Sequence, residues 1–321
     1  MRVVISGASG FVGRMLLKRL LHGALADNAP AEGNGPPGLS LSTIVHRQAS
    51  LQNLRAAFPG LAVHRVEAWE GGDLARALEG AEALIHLAWS SVPRTAAQDP
   101  ALDAATNVEG GLRLIEAAAR AGVRRFVFIS SGGTVYGRRS GAPIKEDSLL
   151  DPANAYAAGK ACLEEYLRIR ALQHGMEHVI LRPANLYGDP HGPTKQQGVV
   201  EHWSRCIAER RPIEAWHGLD VVRDYLHVDD MVDALIASIA NPIGSKVLNV
   251  GTGVGTSLGE LARQLFAIAG TEVPINVPAN ASAEIPWNVL DPGLLKQQWG
   301  MVPKVSLADG LARTWRSLQR G

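Results

Sequence analysis

Tyr156 and Lys160 stand four residues apart in NAYAAGKACLEEY, a spacing that puts both side chains on one face of a helix. A phenol with an ordinary pKa of about 10 is a poor proton acceptor at neutral pH. An ammonium held beside it favours the phenolate and turns it into a general base. Such a base could take a proton from a substrate hydroxyl while hydride leaves the attached carbon. Tyr and Lys meet at this spacing by chance on many helices, so the pair gains meaning only from its surroundings. A second group of small polar residues, Ser130, Ser131, Gly132, Gly133 and Thr134, follows the apolar run FVFI at 126–129. A strand ending this way delivers hydroxyls and bare backbone to one edge of a sheet.

A third group opens the chain. VVISGASGFVG sets Gly7, Gly10 and Gly13 directly after a strand and at the start of a helix. Glycines there permit a tight turn, let the backbone approach a pyrophosphate and let helix and strand pack closely. The helix N-terminus adds N–H groups and a positive dipole end, so the turn reads as a dinucleotide site. The second strand ends in VHRQAS, where an acidic residue would accept from a ribose 2′-hydroxyl. His46 and Arg47 stand there instead, and arginine can pair with a 2′-phosphate and stack on adenine. That tilts the reading from NAD toward NADP; a solvated arginine at a strand end is the alternative.

The elements that must position these groups alternate. RVVIS, LSTIVH, LAVHRV, EALIHLA, RRFVFIS and HVILR read as strands, separated by helical patterns. Among these are the long helices ALDAATNVEGGLRLIEAAARAG and NAYAAGKACLEEYLRIRALQ. Regular alternation implies right-handed crossovers and a parallel sheet covered on both faces. The segment from Gly23 to Ser40, with EGNGPPG, reads as a mobile surface insertion without chemistry of its own. After Arg182 strands thin out and Trp and Pro become frequent. The expected architecture is a Rossmann-type doubly wound α/β domain over 1–182 and a smaller mixed α/β substrate domain over 183–321. Some segments of the latter return to pack on the first domain.

Composition narrows the function classes. The chain has 321 residues and a formal net charge of +1, which gives no electrostatic case for nucleic acid or an anionic membrane. No run approaches the roughly 20 apolar residues of a spanning helix. Two well-separated cysteines, Cys162 and Cys206, form no disulfide framework and suit a reducing cytoplasm. His86 reads as a packed residue of the sheet, since the ten histidines show no metal-ligand spacing. Asp229 and Asp230 read as helix N-caps. Most of the seven tryptophans read as core or domain-interface residues, Trp89 at a strand tip excepted.

Taken in order, SGASGFVG, ALIHLAW, NVEGGLRLIEAA, RRFVFISSGGTVYG, YAAGK, LRPANLYG, RDYLHVDD, LNVGTG and SLADGLARTW cover nearly the whole chain. In this order they resemble the extended short-chain dehydrogenases/reductases of the NAD(P)-dependent sugar-nucleotide epimerase/dehydratase group. The resemblance implies that Gly7, Gly10 and Gly13 hold the pyrophosphate, with Phe11 and Val12 beside it and Glu67 near adenine. It places Leu87, Ala88 and Trp89 on the nicotinamide ribose side, with Ser130 also at the cofactor, and gives Asn107 a role in stabilising the active-site helix. Tyr156 becomes the base, and Lys160 binds ribose hydroxyls and tunes it. Pro183 and Asn185 meet nicotinamide or substrate diphosphate, and Arg223 clamps that diphosphate. Trp89, Ser131, Gly132 and Thr134 line the substrate. The resemblance also implies a homodimer through a four-helix bundle of 103–121 and 154–173.

The same resemblance sorts the chemistry. The position that usually offers a Ser or Thr hydroxyl is Gly132, so Ser131, with Thr134 as second candidate, must supply it. Dehydratases of the group carry an acid pair where this chain has Gly133 and Thr134, which argues against elimination. A sugar-nucleotide 4-epimerase remains, with Gly132 and Gly133 making room for a keto sugar to turn over. An NADPH-dependent reductase of a carbonyl substrate is the alternative, and a cofactor-binding sensor a further one. Relatives that bind uridine diphosphate carry an arginine where this chain has ASAEIPWNVLD, so Arg223 lacks that partner; Lys195 and His217 are candidates to compensate.

Overall fold

The computed structural model describes residues 1–22, 38–69, 71–139, 141–188, 198–241 and 244–320. Residues 23–37, most of the expected insertion, and Lys195 lie outside the described residues. Strands and helices alternate from the start: β1 (Arg2–Ser6), α1 (Phe11–His22), β2 (Ser40–Val45), α2 (Gln48–Ala57), β3 (Ala62–Arg65), α3 (Gly72–Leu78) and β4 (Ala83–His86). Short helices α4 (Pro93–Ala96) and α5 (Pro100–Asp103) lead through a wide π turn, Ala104–Glu109, into α6 (Gly110–Arg120). Then come β5 (Arg125–Ile129), α7 (Ala155–His174), β6 (Glu177–Pro183), β7 (Asn185–Tyr187), α8 (Val199–Ala208), β8 (Ile213–Glu214) and β9 (Val222–His227). The chain closes with α9 (Val228–Ala240), β10 (Lys246–Val250), β11 (Gly255–Ser257), α10 (Leu258–Ala269), β12 (Ile275–Asn276), β13 (Trp287–Asn288), α11 (Gly293–Trp299) and α12 (Leu307–Arg320).

Two units form. One comprises Met1–Ser130, Asn154–Leu181 and Leu235–Val247; the other Ser131–Ala153, Arg182–Ala234 and Leu248–Gly321. Compared with a single boundary after Arg182, the turn-rich 131–153 groups with the second unit and the end of α9 with the first. The reason is pairing: Arg125 of β5 donates to the carbonyls of Ser238 and Asn241, while Tyr136 and Ile144 bond to Asn249.

In the first unit the seven-stranded sheet runs β10-β6-β5-β4-β1-β2-β3, and the described registers from β3 across to β6 are all parallel. The strand order reverses between β1 and β4, the switch point at which open α/β sheets take ligands. Val4, Leu84, Phe126 and Phe128 are buried from the sheet, and Leu114, Ile115, Leu163 and Leu167 meet them from α6 and α7. Helix α7 starts where Asn154 accepts from the Ala157 N–H, and ends at Gly175 in the left-handed region, φ 64°. The long helix expected over 101–122 is instead interrupted by the π turn at 104–109.

The second unit pairs β7, β11 and β13 with β9, and β12 with β8. Trp203, Ile207, Tyr225, Leu261, Leu265 and Leu311 form its core. Trp216 departs from the expectation of buried tryptophans at 65% exposed. Ile213 and Ala215 are buried, and the strand alternation turns 216 to the other side. Asp229 and Asp230 are not simple caps: Asp230 accepts from the Lys304 and Val305 N–H groups, and Asp229 pairs with Arg313. The α9 N-terminus is capped by His227, whose Nδ1 accepts from the Asp229 N–H. No helix among the described residues is long and apolar enough to cross a membrane.

Candidate active site

The turn after β1 is shaped by what a side chain would strike. Gly7 has φ +79°, and a Cβ there would lie 2.6 Å from the Leu87 carbonyl carbon. At Gly13 a Cβ would lie 2.6 Å from the Gly7 carbonyl oxygen. The Gly10 N–H donates to that same oxygen at 3.0 Å, closing the turn. Helix α1 begins at Phe11, so Phe11 and Val12 occupy the turn whose N–H groups have no intrahelical partner. A cradle this bare, at a helix N-terminus and at the switch point, fits a dinucleotide pyrophosphate.

At the adenosine end the two basic residues separate. His46 turns inward: Nδ1 lies 2.9 Å from Val66 O and the ring meets Trp69 edge-on at 4.1 Å. Burial pushes its pKa below the usual imidazole value, and its ring packs on Trp69 rather than standing beside the exposed Arg47. Arg47 is exposed at the end of β2 and opens α2. Glu67, also exposed just after β3, pairs at 3.7 Å with Arg65.

Leu87, Ala88 and Trp89 continue β4 past the sheet, with the Leu87 N–H on Ser6 O. Asn107 sits in the π turn, and its amide meets the loop that leaves β4. Its Oδ1 accepts from the Ser90 N–H at 2.8 Å and the Ser90 hydroxyl at 3.1 Å, and its Nδ2 donates to Asp103 at 2.9 Å. Asn107 therefore fixes the loop carrying Trp89; among its described bonds, none is to α7.

On α7 the ring of Tyr156 meets Trp89 edge-on, centroids 6.0 Å apart. Lys160 is buried, donates to Ile129 O at 2.8 Å and lies over the Trp89 ring at 4.0 Å. Burial brings its pKa down to about 7, against the opposing charges of Glu164 and Asp103. Below it His86 shares a 2.7 Å hydrogen bond with the Ser6 hydroxyl and stacks on Phe128. Burial, then the charge of Lys160, pushes His86 down to about 3, so it is neutral. Ser130 is buried at the end of β5, its Oγ without a partner among the described residues. A buried hydroxyl of this kind can take a hydrogen bond from a bound group.

The second unit holds the remaining candidates. Thr134 Oγ1 donates to Ser131 Oγ at 2.9 Å. Gly132 is buried, and a Cβ there would lie 2.9 Å from Arg182 O and 2.5 Å from Leu290 Cδ1. The expected turning space is therefore absent at Gly132, because backbone and Leu290 already fill it. At Gly133 the nearest atom to a Cβ is Asn185 Oδ1 at 3.8 Å, so that position is open. Pro183 O accepts from the Gly133 N–H, and Asn185 Nδ2 donates to Asp224 O. Arg223 donates to the carbonyls of Val222 and Ile285, and burial lowers its pKa.

Arg223 and His217 are singled out by the sequence; three other residues, Asp224, Tyr136 and Arg138, went unseen in it. Asp224, fully buried, accepts from the Thr252 hydroxyl at 2.6 Å and from the Thr252 and Gly253 N–H groups. An acid inside the β-former run VVRDYLH was its only signal. Tyr136 donates to Asn249 at 2.7 Å and accepts from Arg182, tying the TVYG turn to β10. Arg138 reaches Glu284 O at 2.8 Å and His217 Nδ1 lies 3.0 Å from Ser282 O. With Arg223, they gather on the segment that lacks an arginine.

A family model described as the NAD dependent epimerase/dehydratase family matches residues 3–251. The UDP-glucose 4-epimerase of Mycolicibacterium smegmatis is 35% identical, over 98% of this chain and 97% of its own. A UDP-glucose 4-epimerase of Thermotoga maritima, solved with UDP-glucose, superposes with a TM-score of 0.85 at 27% identity, covering 100% of this chain and 99% of that one. One from Thermus thermophilus, solved with NAD, gives 0.82 at 27% identity over 99% of each chain.

Proposed function

The chain belongs to the NAD dependent epimerase/dehydratase family, and from that premise we propose that it inverts the C4 centre of a UDP-sugar, interconverting UDP-glucose and its C4 epimer. One observation carries this choice within the family. Tyr156 and Lys160 both lie on α7, and Gly133 and Thr134 stand where the family resemblance would put the acid pair of an elimination. The curated relative and the two solved relatives named above are UDP-glucose 4-epimerases.

Tyr156 takes the proton of the C4 hydroxyl, with the Lys160 ammonium favouring its phenolate. A dinucleotide held on the Gly7–Gly13 turn and by Lys160 would supply a reversible hydride acceptor for C4. Inversion requires the resulting C4 ketone to present its opposite face before hydride is restored. Ser131 donates a hydrogen bond to the C4 oxygen; Thr134 occupies an acceptor lone pair of Ser131 and leaves its proton available to point outward. Arg223, with Asn185, holds the diphosphate, a task suited to a guanidinium fork. The cofactor fits the first unit on the bare cradle at Gly7 and Gly13, the unpaired Ser130 hydroxyl and the Lys160 ammonium. The choice between NAD and NADP rests on Arg47 alone, since His46 faces inward.

Two copies pair through α5, α6 and α7, where Leu102, Tyr166 and Ile169 are 62%, 41% and 42% exposed. Light scattering on the purified protein reads the dimer mass, and a monomer at all concentrations rejects it. The thiols of Cys162 and Cys206 are free, in keeping with a reducing cytoplasm.

The test is incubation with UDP-glucose and catalytic cofactor. Appearance of the C4 epimer without net cofactor consumption supports the reading. Stoichiometric NADPH oxidation of a carbonyl substrate with no isomerisation overturns it in favour of a reductase. Tyr156→Phe is expected to lower turnover by about 10²–10⁴-fold while cofactor still binds.

A further inference from the structure

Lys160 occupies a box of ring faces. It is 3% exposed, with its ammonium 4.0 Å from the Trp89 ring centroid and 4.9 Å from that of Phe128. An ammonium has three donors, and here one goes to Ile129 O while the rings take the place of water. Trp89 reaches this place because the residue before Lys160 is Gly159, where a Cβ would lie 3.2 Å from Trp89 Cζ2. The same indole meets Tyr156 edge-on at an interplanar angle of 77°, so one side chain touches both members of the pair. Its loop is held by Asn107 through Ser90, which fixes the indole in place.

We propose that Trp89 is a positioning residue that acts through Lys160: its indole face, seated in the gap left by Gly159, keeps the ε-ammonium charged and aimed in an apolar site. This rests on the reading of Tyr156 and Lys160 as the catalytic pair, because only a charged Lys160 favours the Tyr156 phenolate. The titratable groups facing Lys160 are Glu164 on its own helix, Asp103 of α5, His86 at the end of β4 and Tyr156. Glu164 and Asp103 favour the cation, burial opposes it, and neutral His86 adds no charge. The ring face of Trp89 tips that balance toward the charged form.

The full-length protein with 13C-labelled lysine, assigned through Lys160→Arg, reports the Lys160 titration by NMR with no turnover required. Trp89→Leu keeps apolar bulk without a ring face, and is expected to lower the Lys160 midpoint by about one pH unit. Trp89→Phe, which keeps a face, should recover most of that shift. Gly159→Ala, which shifts the indole by a few tenths of an ångström without removing it, should lower the midpoint in the same direction by a smaller amount. With turnover, the alkaline limb of the kcat profile should move acidward by the same amount. A midpoint in both Trp89→Leu and Gly159→Ala within about 0.2 unit of the wild type overturns the proposal. If the wild type turns over no UDP-sugar while the midpoint still shifts, the epimerase reading fails and the coupling of Trp89 to Lys160 stands.

Discussion

Gly132→Ser would add a hydroxyl at the position where the family resemblance expects one, and the packing around Gly132 leaves no room for it. A Cβ at 132 would sit 2.9 Å from Arg182 O and 3.1 Å from Pro183 O, both backbone atoms, and 2.5 Å from Leu290 Cδ1. Leu290 can turn aside, but the two carbonyls belong to β6 and cannot. The backbone at 132 itself is no obstacle, since its φ lies outside the left-handed region. Overpacking of this kind costs about 1–3 kcal/mol, and at about 2–4 °C per kcal/mol the apparent Tm should fall by roughly 5 °C. Gly133→Ser is the control: its nearest neighbour is an Asn185 amide atom at 3.8 Å, so it should change Tm by about 1 °C at most. Ser131→Ala should lower kcat by about 100-fold, as the loss of one donor to a developing oxyanion does. The double variant Ser131→Ala, Gly132→Ser should recover none of that. Thermal scans and UDP-sugar turnover read all four proteins. A Gly132→Ser protein with wild-type Tm, or a double variant with restored turnover, would falsify the assignment of the hydroxyl to Ser131.

Three further outcomes follow from buried charge and exposed arginine. The depressed pKa of Lys160, about 7 against an ordinary 10.5, means that the unfolded chain holds a proton there that the folded chain has lost. Stability relative to Lys160→Met should therefore rise with pH from about 7 to about 10, and denaturant titrations showing a flat or falling difference would contradict this. Asp224→Ala leaves the partly buried Thr252 and Gly253 N–H groups without their carboxylate acceptor. It should cost about 3 kcal/mol of unfolding free energy, measured by chemical denaturation. Arg47→Ala should weaken NADP binding about tenfold or more and leave NAD binding unchanged, read by calorimetry; equal losses for both would remove Arg47 from the 2′-position.

The features legible in the sequence were those set by local chemistry. Glycine spacing after a β-branched run predicts the turn at Gly7–Gly13, because only a missing Cβ permits the approach to Leu87. The helical pattern from Asn154 to Gln173 predicts α7, and the four-residue spacing then places Tyr156 and Lys160 on one face. Alternation of strand and helix predicts the parallel sheet, while the strand order that sets its switch point came from the fold. None of these sequence signals needs a partner far away in the chain.

Tertiary structure alone decided the rest, since contacts across long separations leave no mark in spacing. His46 and Arg47 are neighbours of similar charge character, yet Val66 and Trp69 draw one inward and leave the other exposed. Gly132 and Gly133 are identical in type, yet Arg182 O and Leu290 close the first and nothing within 3.8 Å closes the second. Asp224 becomes an organiser only once the 252–253 turn folds over it. Burial among Trp89, Phe128 and His86 lowers the pKa of Lys160, and those residues come from β4, the loop after it and β5, far from α7 in sequence. The sequence by itself determined which residues could do the chemistry. The fold determined which of them are placed, charged and open enough to do it, because desolvation and close packing depend on neighbours that only folding supplies.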